Sequence, residues 1–117
     1  MTNLIEVPDR ILIVLPDMKS SSRGAPSWQE DYLIPVSRKY RVFWPPFRIY
    51  FNLETDIGRI YTDVAGDSAM WGDPMAGNYI RKGIRPWFRN HSELRVGSIL
   101  EAKKLEDLLY SLTVLQA

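Results

Sequence analysis

The longest uninterrupted apolar run of this chain, Ile11-Leu12-Ile13-Val14-Leu15, is only five residues long and stops at Pro16-Asp17. It is rich in β-branched residues, and its length suits a buried strand rather than a helix. Short apolar stretches cut by proline, glycine or aspartate recur to the C-terminus, so the chain can build many short strands and no long helix. A transmembrane helix needs about 20 apolar residues, and none is expected. The first ten residues hold Glu6, Pro8 and Asp9, unlike the basic and apolar start of a secretory signal. A cytoplasmic protein with no membrane partner is the expectation. At 117 residues, residues 1–117 are expected to form a single domain.

Tyr32 to Val36 reads as a second strand, followed by a turn or short helix from Ser37 to Val42. Trp44 must be extended, because a residue before proline is pushed out of the α region. Phe47 to Phe51 and Arg59 to Val64 read as strands joined by a hairpin at Asp56-Ile57-Gly58. Tyr79 to Arg81 adds a short strand. Pro86 to His91 suits one short helix, with proline at its first turn, where a missing amide does no harm. After a turn at Val96-Gly97-Ser98, Ile99 to Leu105 and Tyr110 to Leu115 form a closing pair. There Tyr110, Leu112 and Val114 alternate with Ser111 and Thr113, as a half-buried strand requires. Seven short strands and one or two short helices predict a mainly β fold, and closure into a small barrel would hide its edges. Trp44, Trp87 and Phe88 are assigned to the core. Residues 18–31 and 65–78 are polar and glycine-containing loops, of a length that small domains reserve for function.

Little hydrolytic or redox chemistry fits the residue set. The chain has no cysteine and one histidine, which excludes disulfides, thiolate metal sites and multi-histidine metal sites. Glu101-Ala102-Lys103 matches the acidic-x-lysine element of metal-dependent nucleases, but the candidate aspartate partners Asp63, Asp67 and Asp73 lie near or within a glycine-rich loop and flanking helices are missing; an exposed strand face of alternating charge is the plainer reading. His91, beside Ser92 and Glu93, has no nucleophile pattern near it and reads as a helix-terminal structural histidine. There is no Walker loop and no dinucleotide fingerprint. No enzyme activity, no catalytic or metal-binding residue and no cofactor is therefore expected.

Charge separates along the chain although the sum is +1. Residues 18–50 carry Lys19, Arg23, Arg38, Lys39, Arg41 and Arg48 against Glu30 and Asp31. Residues 76–97 carry Arg81, Lys82, Arg85, Arg89 and Arg95 against Glu93. Each segment is thus +4, while 51–75 is −4, with Arg59 against Glu54, Asp56, Asp63, Asp67 and Asp73. Two basic segments brought together would form a basic face. The loops add groups that reach base edges or phosphates: Lys19, Ser20, Ser21, Ser22, Arg23, Trp28 and Gln29 in the first, and Asp67, Ser68, Trp71 and Asn78 in or beside the second. With Arg38, Arg81, Lys82 and Arg85 they make up a candidate DNA-binding set. The second loop runs into Arg81, so a base-reading tip and a phosphate-gripping flank would adjoin. Trp28 and Trp71 have a second reading, in which each indole pins its loop to the barrel wall.

The order of parts resembles a family. The carrying strings are Tyr32-Leu33-Ile34-Pro35 after a polar loop, Arg59-Ile60-Tyr61 ending a hairpin, Ile84-Arg85-Pro86-Trp87-Phe88 after a second polar loop, and Ser98-Ile99-Leu100-Glu101-Ala102 opening the last pair. Over roughly residues 10–115 this looks like the DNA-binding pseudobarrel, the B-three-like fold of plant transcription factors and of the effector domains of bacterial restriction endonucleases of the EcoRII and BfiI type. The restriction-enzyme branch is the closer likeness. The resemblance implies a seven-stranded open pseudobarrel and sequence-specific binding of double-stranded DNA. Two arms, here Lys19 to Gln29 and Asp67 to Lys82, would enter the major groove. It also implies a non-catalytic recognition role in restriction-modification, with a fused or associated nuclease domain. Two other readings stand beside it. One is a small β-barrel protein-interaction module, using the loop tryptophans and methionines. The other is a reader of the PUA type, taking RNA or a modified base between Trp71 and Tyr79.

Overall fold

The computed structural model describes residues 8–17, 32–66 and 72–117. Among these, eight strands form two sheets. A five-stranded sheet has the order β1-β7-β8-β3-β4, built from β1 (Arg10–Val14), β3 (Phe51–Thr55), β4 (Gly58–Thr62), β7 (Ile99–Glu106) and β8 (Leu109–Gln116). A three-stranded sheet has the order β2-β6-β5, from β2 (Ile34–Pro35), β5 (Val64–Ala65) and β6 (Tyr79–Ile80). A 3₁₀ helix spans Arg38–Phe43, and one α-helix, α1, spans Arg85–Asn90.

The fold is mainly β with two short helices, as the sequence predicts, and its sheets are open rather than closed into a barrel. Among the described residues, β1 and β4 are the outermost strands of the larger sheet. The predicted Arg59–Val64 strand is interrupted at Asp63, and this raises the strand number from seven to eight. At that residue the chain leaves the larger sheet and enters the smaller one.

Period-two patterning accounts for the larger sheet. Ile11 and Ile13 of β1 are buried while Leu12 and Val14 face outward, and the antiparallel register sets Ile11 opposite Ala102 and Ile13 opposite Leu100. β7 and β8 form the closing hairpin, with Ala102 opposite Leu112. β8 then runs parallel to β3, with Leu53 beside Tyr110. The buried side chains of both sheets form one cluster, in which Phe43, Trp44, Phe51 and Tyr110 pack ring against ring at centroid distances of 4.9 to 5.8 Å. The Tyr110 hydroxyl donates to the Phe43 carbonyl at 2.8 Å, and burial pushes its pKa up to about 12. Trp44, Trp87 and Phe88 are all in the core.

Short elements at the other end follow local chemistry. Ser37 caps the 3₁₀ helix by accepting the Lys39 amide at 3.1 Å, and Trp44 is extended before Pro45. Pro86 lies in the first turn of α1. His91 ends that helix. Its Nε2 contacts Asp56 Oδ2 at 2.8 Å and its Nδ1 contacts Glu93 Oε1 at 2.9 Å, while Trp87 Nε1 donates to Asp56 Oδ1 at 3.1 Å. The histidine thus ties α1 to the β3–β4 turn. Burial disfavours its charged form, but the two carboxylates outweigh this and leave the pKa above its ordinary value.

Candidate nucleic-acid interface

The three-stranded sheet gathers the described members of the predicted site. Its cross-strand row Ile34, Ile80 and Val64 is fully buried, so the alternate row Pro35, Tyr79 and Ala65 faces outward. Arg38 follows β2, Asn78 precedes β6, and Arg81 and Lys82 follow β6. Arg85 stands farther along, its guanidinium 5.5 Å from the ring of Tyr32, the first described residue after the first predicted arm. Lys19, Ser20, Ser21, Ser22, Arg23, Trp28 and Gln29 of that arm, and Asp67, Ser68 and Trp71 of the second, lie outside the described residues.

Two clefts divide the described set. Arg81 and Lys82 line a cleft of about 370 Å³ with Arg48, Tyr50, Asp63, Ala65 and Tyr79. Arg38 and Asn78 line a separate one of about 310 Å³ with Arg41, Asp73 and Met75. β6 lies between Asn78 and Arg81, which flank it at opposite ends, and the tip of the second predicted arm lies outside the described residues.

The first cleft is built by residues distant in sequence. Arg48 has a φ of +64°, a left-handed conformation uncommon outside glycine, asparagine and aspartate. Its amide donates to the Val64 carbonyl at 3.0 Å, and its Nε lies 3.6 Å from Asp63 Oδ2. The Asp63 side chain is only 3% exposed, against 55% for Arg48. Among the described residues, Asp63 Oδ2 has no hydrogen-bond partner. Lys82 donates to the Tyr50 hydroxyl and lies 4.7 Å from the Tyr50 ring centroid. That hydrogen bond raises the lysine pKa above its ordinary value. Tyr50 in turn stacks on the exposed Tyr61 at 4.8 Å. The result is a cationic rim over an aromatic wall, with one buried carboxylate beneath.

The second cleft rests on a residue that charge counting treats as surface charge. Arg41 is 4% exposed. Its guanidinium donates to the carbonyls of Ala76 at 2.7 Å, Pro45 at 2.9 Å and Pro74 at 3.3 Å. Burial lowers its pKa, opposed by Asp73. Arg41 thus anchors residues 74–76, within the second predicted arm, and Phe47 adds a hydrogen bond from its amide to Pro74 O at 2.9 Å.

Glu101 of the acidic-x-lysine string is engaged by Arg10 and lies 3.5 Å from Lys103 Nζ, and the Arg10 contact holds its pKa below the usual carboxylate range. Among the described residues no three acidic or imidazole groups converge on a metal position, and no helix is long and apolar enough to cross a membrane. In the sequence Arg48 counts only towards the first basic segment and Asp63 only as a candidate partner of Glu101, while Tyr50 is not singled out at all. The available signals are an arginine soon after a Pro-Pro pair and an aspartate interrupting a β-branched run. Comparison with protein-family models, with curated proteins and with solved structures finds no match for this chain.

Proposed function

We propose that this chain binds double-stranded DNA sequence-specifically, without cutting it, as the recognition part of a cytoplasmic restriction-type system. The observation that supports this best is the convergence of Arg48, Arg81 and Lys82 on one cleft beside the outward row of the three-stranded sheet. A cluster of cations suits the phosphates of a nucleic acid, contacts that fix orientation but carry no sequence information. The segments 18–31 and 67–71 flank β2 and β5 of the same sheet in the chain. Their serines, Arg23, Gln29 and Asp67 are the side chains that would read base edges.

Selection from a random duplex pool, followed by sequencing, tests specificity. One short enriched motif is the expected result. Neutralising about 4 to 6 phosphates gives a slope of log affinity on log salt of roughly −4 to −5. A slope near zero, or a pool with no enrichment, would remove DNA binding and favour a protein partner for the exposed face.

A further inference from the structure

A buried carboxylate beneath a phosphate-gripping surface repels the same anion, and the ion-pair partner of Asp63 in this cleft is the exposed Arg48, its Nε 3.6 Å from Oδ2. Asp63 nevertheless lines the cleft, with its side chain 3% exposed and Oδ2 lacking a hydrogen-bond partner among the described residues. Buried polar atoms are normally satisfied, and one left open next to a cavity is a position for a ligand donor. The half-buried Tyr50 and Tyr79 add aromatic surface, and the cavity of about 370 Å³ falls within the range of small-ligand sites. Arg48, held in a left-handed conformation, puts a guanidinium donor beside the carboxylate acceptor.

We infer that this cleft takes a single nucleotide unit: its phosphate on Arg48, Arg81 and Lys82, its base against the tyrosines, and one base N–H donated to Asp63. The exposed Arg48 side chain shifts from over Asp63 Oδ2 to the phosphate as the base enters. This rests on the DNA-binding reading for its source, a nucleotide turned out of the duplex. A free nucleoside monophosphate presents the same chemistry.

The full chain is titrated, by tryptophan fluorescence, with each of the four deoxynucleoside 5′-monophosphates and with inorganic phosphate. It is then titrated with matched duplexes and with duplexes carrying one unpaired nucleotide. At least one mononucleotide is expected to bind about tenfold or more tighter than phosphate, with Asp63→Asn abolishing most of that preference. Where Asp63→Asn fails to fold, Tyr79→Leu removes one wall of the cleft and should weaken mononucleotides but not phosphate. Equal binding of mononucleotides and phosphate overturns the inference, as does an unchanged preference in a folded Asp63→Asn. Matched-duplex binding with the expected salt slope alongside such a failure leaves the DNA reading standing and removes the pocket. Mononucleotide binding without duplex binding does the reverse. Tighter binding of the duplex with an unpaired nucleotide assigns the pocket to an extruded base, and equal duplex binding with the mononucleotide preference intact assigns it to free nucleotides.

Discussion

Replacing Arg41 by methionine removes a buried cation of similar reach and leaves its acceptors in place. The Pro74 carbonyl keeps the Phe47 amide at 2.9 Å, so the loss falls on Ala76 and Pro45, bonded at 2.7 and 2.9 Å. Each such charge-assisted bond to a buried carbonyl contributes about 1.5 to 3 kcal/mol. Relief of the guanidinium's own burial, together with the apolar contacts of methionine, returns about 1 to 2 kcal/mol. The expected net loss is therefore about 2 to 4 kcal/mol, which for a domain of this size lowers Tm by about 10 °C. Urea unfolding followed by tryptophan fluorescence measures it, with Lys39→Met as an exposed neighbour expected to stay within about 0.5 kcal/mol. Hydrogen exchange should also quicken at the Phe47 amide, which bonds Pro74 in the segment Arg41 holds, and at the Asn78 amide two residues beyond that segment, which bonds Ala65. Equal urea midpoints for Arg41→Met and wild type would refute the anchoring role.

Thr62 is fully buried with an unpartnered hydroxyl, so Thr62→Val should raise stability by about 1 kcal/mol in the same urea assay. Gly77 has a φ of +102°, and an added Cβ would lie 2.6 Å from Val64 Cγ1; Gly77→Ala should cost about 2 to 4 kcal/mol. Gly97, at φ +92° in open space, should lose only about 1 to 2 kcal/mol on the same change. Because the His91 pKa is raised in the fold, its contribution is present below the ordinary value of 6.5 and is lost as pH rises through the raised one. Asp56 and Glu93 are lowered, chiefly by their hydrogen bonds to His91, so their share is lost on acidification through their depressed values. The stability gap between wild type and His91→Gln should thus be widest near about pH 5.5 and smaller at about pH 8.5, as read from urea midpoints.

Elements with strong local signals were legible in the sequence. β1, α1 and the β7–β8 hairpin fall where apolar alternation and proline place them, because few other conformations bury Ile11, Ile13, Leu100 and Leu112 together. The strand predicted from Phe47 starts only at Phe51. The chain first makes a turn, closed by the Ile49 amide on the Pro46 carbonyl at 3.1 Å, with Arg48 left-handed. Alternation cannot reveal that turn, since Phe47-Arg48-Ile49 has the same pattern in either conformation. The basic segments were legible as charge, but not their division of labour. Arg41 is consumed by carbonyls from residues 44–45 and 74–76, and Arg48 is set beside an aspartate 15 residues away. Both outcomes depend on tertiary pairing.

Asp63 carries two consequences at once. Its backbone is where β4 ends and β5 begins, so it turns the chain from one sheet into the other and leaves the fold open. Its side chain lines the cleft with Arg48, Tyr50, Arg81 and Lys82. The two departures from local rules described there, the left-handed Arg48 and an Asp63 Oδ2 that makes no hydrogen bond among the described residues, form one ion pair at 3.6 Å. Arg41, equally buried but away from that cleft, is bonded on several sides. Strain and unmet hydrogen bonding each cost on the order of 1 to 3 kcal/mol, and natural chains concentrate such costs at working sites. Asp63→Asn separates the two roles, because asparagine can keep the backbone turn while altering the acceptor. A variant that folds with both sheets intact yet changes what the cleft binds would assign the side chain to recognition and the backbone to architecture.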